Sequence, residues 1–276
     1  MTRKLAVVIG LGEIGRPIYQ MLSNAYGNEE VRGKDLFYLD PISAITRAMD
    51  DHNFRYMHVC FPQSLDFVQQ LRDYIRKYNP NCVIIHSTLS PGMTTYLDGE
   101  FSSKIETDNP PGDYPTIFYS PVRGNTRDGM LWSLKKYTKF VAGFGIDGID
   151  ITMVLQHLTG AGFTVKYLED PWALECAKIW DLAWYGLNIA FYQVMERALD
   201  KTAVDVTREF IASTPEESEG KAPRTLLYGG FIGGHCVIPA IEKILAEHDI
   251  PMLRAVLDSN IRRSLELIHE RPGHHP

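Results

Sequence analysis

A glycine-rich turn near the N-terminus constrains the fold of this chain more than any other feature. The apolar run Lys4–Ile9 is typical of a buried β-strand, and an amphipathic stretch through Leu22 follows the turn. The turn itself consists of Gly10, Leu11, Gly12, Glu13, Ile14 and Gly15. A strand, a GxGxxG turn and a helix in this order predict a dinucleotide site, in which N–H groups at the helix N-terminus bind the pyrophosphate.

The next apolar run predicts which dinucleotide this turn binds. We interpret Asp35–Leu39 as the second strand, which makes Tyr26–Gly33 a loop and places Asp40 at the end of the strand. An acidic residue there accepts a hydrogen bond from the 2′-hydroxyl of the adenine ribose. The same carboxylate at about 4 Å would repel a 2′-phosphate by roughly 4 kcal/mol per unit charge at an effective dielectric of about 20. We therefore expect NAD, and not NADP, as the cofactor.

Composition and charge argue against several other classes of partner. The 276 residues carry a net charge of −6 and no stripe of basic residues interleaved with aromatic residues, so nucleic acid is not expected as a partner. The first strand begins too early for a signal peptide, and no run of about 18 apolar residues is present to span a membrane. We expect a cytoplasmic protein without a membrane partner. Its four cysteines form no CxxC pair, so we also expect no metal site.

Predicted strands and helices alternate up to about residue 170, which is typical of a Rossmann fold with a doubly wound parallel sheet. Further strands are predicted at Tyr56–Phe61, Cys82–His86, Ile117–Tyr119 and Lys139–Ala142, with a helix at Phe67–Lys77. Pro62 and Thr88 follow two of these strands, so we expect them to line the cofactor crevice. We place the domain boundary at Asp170–Pro171. Residues 1–170 would form the NAD-binding domain and residues 171–276 an all-helical domain for substrate binding and dimerisation.

One long helix is predicted to dominate the second domain. Between Trp172 and Ala212 the only glycine or proline is Gly186, where the helix is expected to bend, and apolar residues recur at three- and four-residue spacing. Its aromatic residues cover more than one face, and a helix that is apolar around most of its circumference is buried. We therefore expect a homodimer interface along residues 172–212. The alternative is burial within the same chain.

A second glycine-rich turn precedes a cysteine. Residues 227–245 read LYGGFIGGHCVIPAIEKIL. A cysteine on such a turn is accessible to a substrate carbonyl, and the dinucleotide site upstream provides a hydride acceptor, so the pair indicates oxidation through a covalent thiol adduct. The alternative is that the glycines only form a tight turn and that Cys236 is a small buried apolar residue.

Four motifs occur in the order found in the UDP-glucose/GDP-mannose dehydrogenase family: VVIGLGEIG, HSTLSPGMT, LECAKIWDLAWYGLNIAF and GGFIGGHCVIP. The chain resembles the first two domains of this family, part of the 6-phosphogluconate dehydrogenase-like group, and is expected to lack the C-terminal nucleotide-sugar-binding domain. The resemblance implies an NAD-dependent enzyme in which a lysine assists proton transfer. In that family a cysteine carries the thiohemiacetal and then the thioester, and two hydrides go to two NAD molecules.

Residue roles follow from the motif positions. The resemblance implies catalytic roles for Cys236, Lys178 and Thr88, with Thr88 also beside the cofactor. Glu175 and Lys178 match the family's helix pair and would bind substrate. Gly234 and His235, next to the cysteine, are further candidates for substrate binding, and Arg123 is a candidate clamp for a substrate anion.

Three departures from the family pattern bear on the reaction. Leu182 stands where the family has an asparagine, Val122 stands where it has a glutamate that can activate water, and the lysine–aspartate pair after the cysteine is missing. The first hypothesis is an NAD-dependent oxidoreductase of altered scope, acting on an alcohol of a sugar-like or hydroxy-acid substrate. The second is a dinucleotide-binding, non-catalytic homolog with a sensor or structural role. A third is an S-adenosylmethionine-dependent enzyme on the same fold.

Overall fold

The computed structural model describes residues 3–35, 53–103, 115–124, 129–145 and 149–269. The chain divides into two compact units, Met1–Cys176 and Ala177–Pro276. The predicted boundary at Asp170–Pro171 coincides with the start of the longest helix, and the division between the units falls in the second turn of that helix. No helix among the described residues is both long and apolar enough to cross a membrane.

The first unit contains a seven-stranded sheet. Its strands are β1 Lys4–Ile9, β2 Val31–Lys34, β3 Phe54–Val59, β4 Cys82–Ile85, β5 Thr116–Tyr119, β6 Lys139–Gly143 and β7 Val165–Leu168. They lie in the order β2-β1-β3-β4-β5-β6-β7. Neighbouring strands from β2 to β5 are parallel, β6 is antiparallel to β5, and β7 is parallel to β6. The predicted Rossmann-type sheet is confirmed, with one antiparallel pairing that the sequence pattern did not indicate.

Helices cover both faces of this sheet. They are α1 Gly15–Tyr26, α2 Phe67–Tyr78, α3 Met93–Ser103, α4 Met130–Lys136 and α5 Ile149–Gly160. The apolar residues of α2 and α3 pack on one face, and those of α1, α4 and α5 pack on the other. Because both faces are covered, the strands are buried on both sides, which explains their continuous apolar runs.

The position of the second strand differs from the prediction. It lies at Val31–Lys34 and pairs with β1 from Ala6 to Ile9, so the predicted loop Tyr26–Gly33 contains the end of α1 and most of β2. Residues 36–40 of the predicted strand, Asp40 included, lie outside the described residues. Asp35 therefore directly follows β2, in the place that we had assigned to Asp40.

The second unit is helical. Helix α6 spans Pro171–Ala198 and contributes most of its length to this unit, and it is followed by α7 Lys201–Glu217, α8 Val237–Glu247 and α9 Pro251–His269. The prediction of one helix from Trp172 to Ala212 is wrong, because the chain breaks between α6 and α7. The Asp200 side chain accepts a hydrogen bond from Ala203 N (2.9 Å) and so caps α7.

Helix α6 continues without interruption through Gly186, and the bend expected there stays a prediction. The lack of a side chain at Gly186 allows close packing. A Cβ atom at Gly186 would lie 2.9 Å from Val237 Cγ1 and 3.0 Å from Ile241 Cδ1, so α8 approaches α6 closely at this point. Val237 and Ile241 belong to the apolar core of the second unit, which α6, α8 and α9 form together.

Three histidines form a hydrogen-bonded chain inside the first unit. His58 of β3 lies between His86, which follows β4, and His157 of α5; both ring-to-ring contacts measure 2.9 Å. His86 Nδ1 lies 2.9 Å from the Ser120 carbonyl oxygen, which also accepts from Lys139 Nζ at 2.8 Å. All three rings are at most 4 % exposed. Burial lowers the pKa of His58 and His86 well below the ordinary value and that of His157 to about 3, so the rings are neutral.

The Ser120 carbonyl fixes the direction of this chain. A carbonyl oxygen only accepts, so His86 donates from Nδ1 and, being neutral, accepts at Nε2. His58 then donates from Nδ1 and accepts at Nε2, and His157 donates from Nε2. Nδ1 of His157 is left as a buried acceptor, and no described group donates to it. An unsatisfied buried acceptor costs about 1–3 kcal/mol.

Candidate functional site

The glycine-rich turn has the geometry that a pyrophosphate requires. Gly10 has a φ of +87°, which non-glycine residues rarely adopt, and a Cβ atom at Gly15 would lie only 1.7 Å from Gly10 O. A Cβ atom at Gly12, in contrast, would have no neighbour within 4 Å. The turn is therefore tightly packed on the side of the sheet and open above Gly12, three residues before helix α1 begins.

The turn lies at the point where the strand order reverses. The chain passes from β1 to β2 on one side and returns to β3 on the other, and ligands of such sheets bind beyond the carboxyl ends of the strands at this point. A Cβ atom at Gly10 would lie 2.9 Å from Phe61 N, just beyond the end of β3. Pro62 is the next residue and is exposed, while Thr88 follows β4 and is half-buried. These predicted cofactor residues share one edge of the sheet.

Asp35 is the residue of this site that the sequence prediction missed. Its Oδ2 accepts a hydrogen bond from Leu11 N at 2.6 Å, while Arg16 Nε donates to Leu11 O at 2.7 Å. The Leu11 residue of the turn is thus held from both sides. An acidic residue about 20 residues after the fingerprint is the usual ribose ligand, and Asp35 has this spacing from Gly15. That spacing was the signal that could have identified it.

A cleft of about 480 Å³ opens beside the start of α1. It is lined by Gly12, Glu13, Arg16, Pro17 and Met130. Its lining includes the open side of the turn above Gly12, next to the backbone N–H groups of the turn. Space for a ligand and hydrogen-bond donors for an anion therefore occur at the same place.

Glu175 has a structural task in the first unit. Its carboxylate is fully buried and accepts from Gly92 N (2.6 Å), Thr94 N (2.7 Å) and Thr94 Oγ1 (2.6 Å) at the start of α3. Burial raises the pKa of Glu175, and these three hydrogen bonds act in the opposite direction. The carboxylate is thus a cap for α3, and its role in substrate binding stays a prediction.

Arg123 and Val122 follow β5. The Arg123 guanidinium lies 4.9 Å from the centre of the Phe140 ring and 5.8 Å from that of Tyr137, and it donates to Thr138 O at 2.8 Å. This side chain is exposed and remains a candidate anion ligand. Val122 is only 6 % exposed and packs in the core. It supplies no base at the place of the family's glutamate.

In the second unit, Cys236 occupies the N-cap position of α8 and is half-buried. The preceding residues Gly233, Gly234 and His235 are exposed, and Lys178 is half-buried on α6. The N-terminus of a helix favours negative charge, which suits a thiolate. Among the described residues no group of His, Cys, Asp and Glu has the arrangement of a metal site.

Comparison with known proteins identifies the fold as one shared with dehydrogenases. No protein-family model matches the chain, and no curated protein sequence is significantly similar to it. Solved structures do match. A UDP-D-ManNAc dehydrogenase from Pyrococcus horikoshii superposes with a TM-score of 0.69 at 16 % identity, over 96 % of this chain and 70 % of that one. The resemblance to nucleotide-sugar dehydrogenases predicted from the motifs is thus confirmed at the level of the fold.

Two further structures match over nearly their whole length. The 3-hydroxyisobutyrate dehydrogenase of Mycobacterium tuberculosis, described with L-serine, has a TM-score of 0.64 at 14 % identity, over 96 % of this chain and 95 % of that one. Psf3 in complex with NADP+ and 2-OPP has a TM-score of 0.58 at 16 % identity, over 95 % of each chain. At these identities the comparison concerns the fold alone.

Proposed function

We propose that this protein is an NAD-dependent oxidoreductase that acts on an alcohol of a sugar-like or hydroxy-acid substrate. The observation that carries the proposal is the Gly10–Gly15 turn, open above Gly12, with Asp35 hydrogen-bonded to its Leu11 N–H. The fold shared with a nucleotide-sugar dehydrogenase and a hydroxy-acid dehydrogenase supports the substrate class.

The residues present fit a dinucleotide. The open space above Gly12 and the backbone N–H groups of the turn would hold the pyrophosphate, and Asp35 would accept from the ribose. We propose NAD in preference to NADP, because the Asp35 carboxylate would repel a 2′-phosphate. Pro62 and Thr88 would line the same crevice. When bound, the nicotinamide accepts a hydride from the alcohol carbon of the substrate.

Lys178, Cys236 and Thr88 are the proposed catalytic residues. Lys178 takes the proton of the alcohol. The Cys236 thiol then adds to the resulting aldehyde, with the new S–C bond formed as the thiol proton moves to the carbonyl oxygen. Release of an acid requires an activated water, and the buried Val122 cannot provide the base for it. We therefore expect oxidation to stop at the aldehyde or its thiol adduct.

Binding and turnover test the proposal separately. Calorimetry should show NAD binding more tightly than NADP; equal affinities, or no binding of either at millimolar concentration, would contradict it. A screen of nucleotide sugars, sugar acids and small hydroxy acids should then yield about one NADH per substrate consumed, with loss of turnover in Lys178→Met. Binding of NAD without reduction by any substrate would favour the non-catalytic hypothesis.

We also propose a homodimer through the exposed side of α6. Trp180, Trp184, Phe191 and Val194 are 44–56 % exposed and recur at spacings that place them on one face of the helix. Contiguous exposed apolar residues of this kind mark an interaction surface, and a self-complementary patch is what a two-fold interface requires. Sedimentation at micromolar concentration should show a dimer that Trp184→Glu dissociates. A monomeric wild-type protein would contradict the proposed homodimer.

A further inference from the structure

The segment before Cys236 is held by side chains and not by secondary structure. Residues 224–233 have no helix or strand, so their backbone groups need other partners. The Tyr192 hydroxyl donates to Thr225 O at 2.9 Å, and Gln193 Nε2 donates to Gly230 O at 2.7 Å. Asn260 binds both backbone groups of Ile232: its Oδ1 accepts from the N–H at 2.7 Å, and its Nδ2 donates to the C=O at 3.1 Å.

The two amides are buried and oriented by further contacts. Gln193 is fully buried and Asn260 is 6 % exposed. Gln193 Oε1 accepts from the Ser259 hydroxyl at 2.7 Å, and Arg197 Nη2 donates to that hydroxyl at 2.5 Å. Because Oε1 is occupied by a donor, Nε2 of Gln193 must face Gly230 O. The orientation of Asn260 is equally determined, since it meets one donor and one acceptor of the same residue.

Backbone packing fixes the same segment. A Cβ atom at Gly229 would lie 2.7 Å from Gln193 N and 2.8 Å from Tyr192 C, so the segment lies directly on the backbone of α6. Beyond Cys236, Val237 packs against α6 near Gly186. The exposed residues Gly233, Gly234 and His235 and the half-buried Cys236 therefore form a short span between two anchored points.

We propose that Gln193 and Asn260 are positioning residues for Cys236. They fix the upstream end of the span that carries the thiol, while α8 fixes the downstream end. The segment runs along α6 towards the half of the helix that carries Lys178, which lies about 12 Å from Gly186 at 1.5 Å per residue. The proposal rests on the proposed role of Cys236 as the nucleophile.

Thiol alkylation tests this proposal without any substrate. Iodoacetamide labelling of the folded protein, followed by peptide mass spectrometry, gives the rate at Cys236 relative to Cys176 as a function of pH. Asn260→Asp removes the donor to Ile232 O and places a carboxylate against it. We expect this variant to change the Cys236/Cys176 ratio at least threefold and to move the pH profile towards that of a synthetic peptide of residues 231–240.

Two variants keep the test decisive. Asn188→Asp is the matched control, because it makes the same change at a residue of α6 whose Nδ2 donates within that helix, to Trp184 O. It should leave the Cys236 profile unchanged. If Asn260→Asp does not fold, Ser259→Ala is used in its place, because it leaves both amides and removes only the hydroxyl that orients Gln193. We then expect a smaller shift of the Cys236 pH profile towards that of the peptide.

A wild-type Cys236 profile in a folded Asn260→Asp or Ser259→Ala variant would overturn the positioning role, even if the variant melts at a lower temperature. Should turnover be found, Asn260→Asp should lower kcat with little change in the KM for NAD. The alkylation result does not depend on turnover. Failure of the proposed function and failure of the positioning role are therefore distinguishable.

Discussion

The two glycine-rich turns of this protein are built in different ways. The turn at Gly10–Gly15 is fixed mainly by backbone contacts, because Gly10 N donates to Lys34 O and Gly15 packs onto Gly10 O, while the side chains of Asp35 and Arg16 hold Leu11. The segment Gly229–Ile232 before Cys236 is instead fixed by the amides of Gln193 and Asn260, which come from two distant helices. Backbone contacts predominate in the first turn, and side-chain contacts from helices far apart in the sequence are prominent in the second. Substitutions should therefore have different effects in the two units.

Acid should produce the largest difference between the units. The fully buried histidines His58, His86 and His157 all belong to the first unit, and burial lowers each pKa. Groups with a lowered folded-state pKa bind fewer protons in the folded state, so stability is retained above the unfolded pKa of about 6.5 and is lost as pH falls below it. At pH 5, the lowered pKa of His157 alone should reduce the free energy of unfolding by about 2 kcal/mol, and the other two histidines should reduce it further.

Urea titrations at pH 7.5 and pH 5.0, followed by circular dichroism, measure this loss. Limited proteolysis at pH 5.0 should place the earliest cuts in the first unit. His248→Gln, an exposed histidine of the second unit, is the control and should leave the pH dependence unchanged. An unchanged free energy of unfolding at pH 5.0 would show that the histidine chain accepts protons without cost.

Gly15→Ala should have the next largest effect. The new Cβ atom would lie 1.7 Å from a backbone oxygen that cannot move without the whole turn, so we expect a loss of about 3 kcal/mol or more and no NAD binding. Gly12→Ala is the matched control, because its Cβ atom would meet nothing within 4 Å. It should melt close to wild type yet bind NAD more weakly in calorimetry. Equal melting temperatures for the two variants would refute this account of the turn.

The substitution Asp35→Asn should have a moderate effect, confined to cofactor binding at the first turn. Asp35→Asn keeps the size of the side chain and removes its charge, so the preference for NAD over NADP should narrow at least tenfold, which corresponds to about 1.4 kcal/mol. Asp40→Asn provides the comparison that decides between the two acidic residues. A larger change in the ratio of dissociation constants for Asp40→Asn would return the ribose role to Asp40.

Gly186→Ala should have the smallest effect. Its Cβ atom would meet the ends of the Val237 and Ile241 side chains, at 2.9 and 3.0 Å, and these can shift where a backbone atom cannot. Replacing glycine inside a helix also gains up to about 1 kcal/mol. We expect the melting temperature to change little in either direction. A loss as large as that of Gly15→Ala would mean that α6 and α8 are as rigidly packed as the first turn.

The features of the first unit differ in how well they could be predicted from the sequence. The GxGxxG turn lies in one continuous segment, so β1, the turn and α1 could be predicted together. Strand β2 could not, because Arg32, Gly33 and Lys34 interrupt its apolar pattern, while the run after Asp35 looks more like a strand. Pairing with β1 outweighs strand propensity here. The sequence analysis therefore placed the predicted ribose ligand at Asp40, whereas the position of β2 favours Asp35 for the proposed role.

In the second unit, the features that the sequence did not reveal are a helix break and long-range side-chain contacts. The break between α6 and α7 contains neither glycine nor proline, and only Asp200 as an N-cap residue indicated it. Gln193 and Asn260 are separated by 67 residues, so no local pattern pairs them. The same holds for the histidine chain, since His58 and His157 are 99 residues apart. Side-chain networks of this kind depend on tertiary packing, which a single sequence does not display.

Because the direction of the hydrogen-bonded histidine chain is fixed, the ring protons of its three histidines can be used to follow opening of the first unit by NMR. Two of its three imidazoles carry their proton on Nδ1, and a nitrogen NMR spectrum distinguishes this tautomer from the Nε2 form of the third. All three ring protons are enclosed by the sheet and its helices, away from solvent. They can exchange with deuterium only when this core opens. The lifetimes of three proton signals would thus record how often the core of the first unit opens, even while the sheet as a whole remains folded.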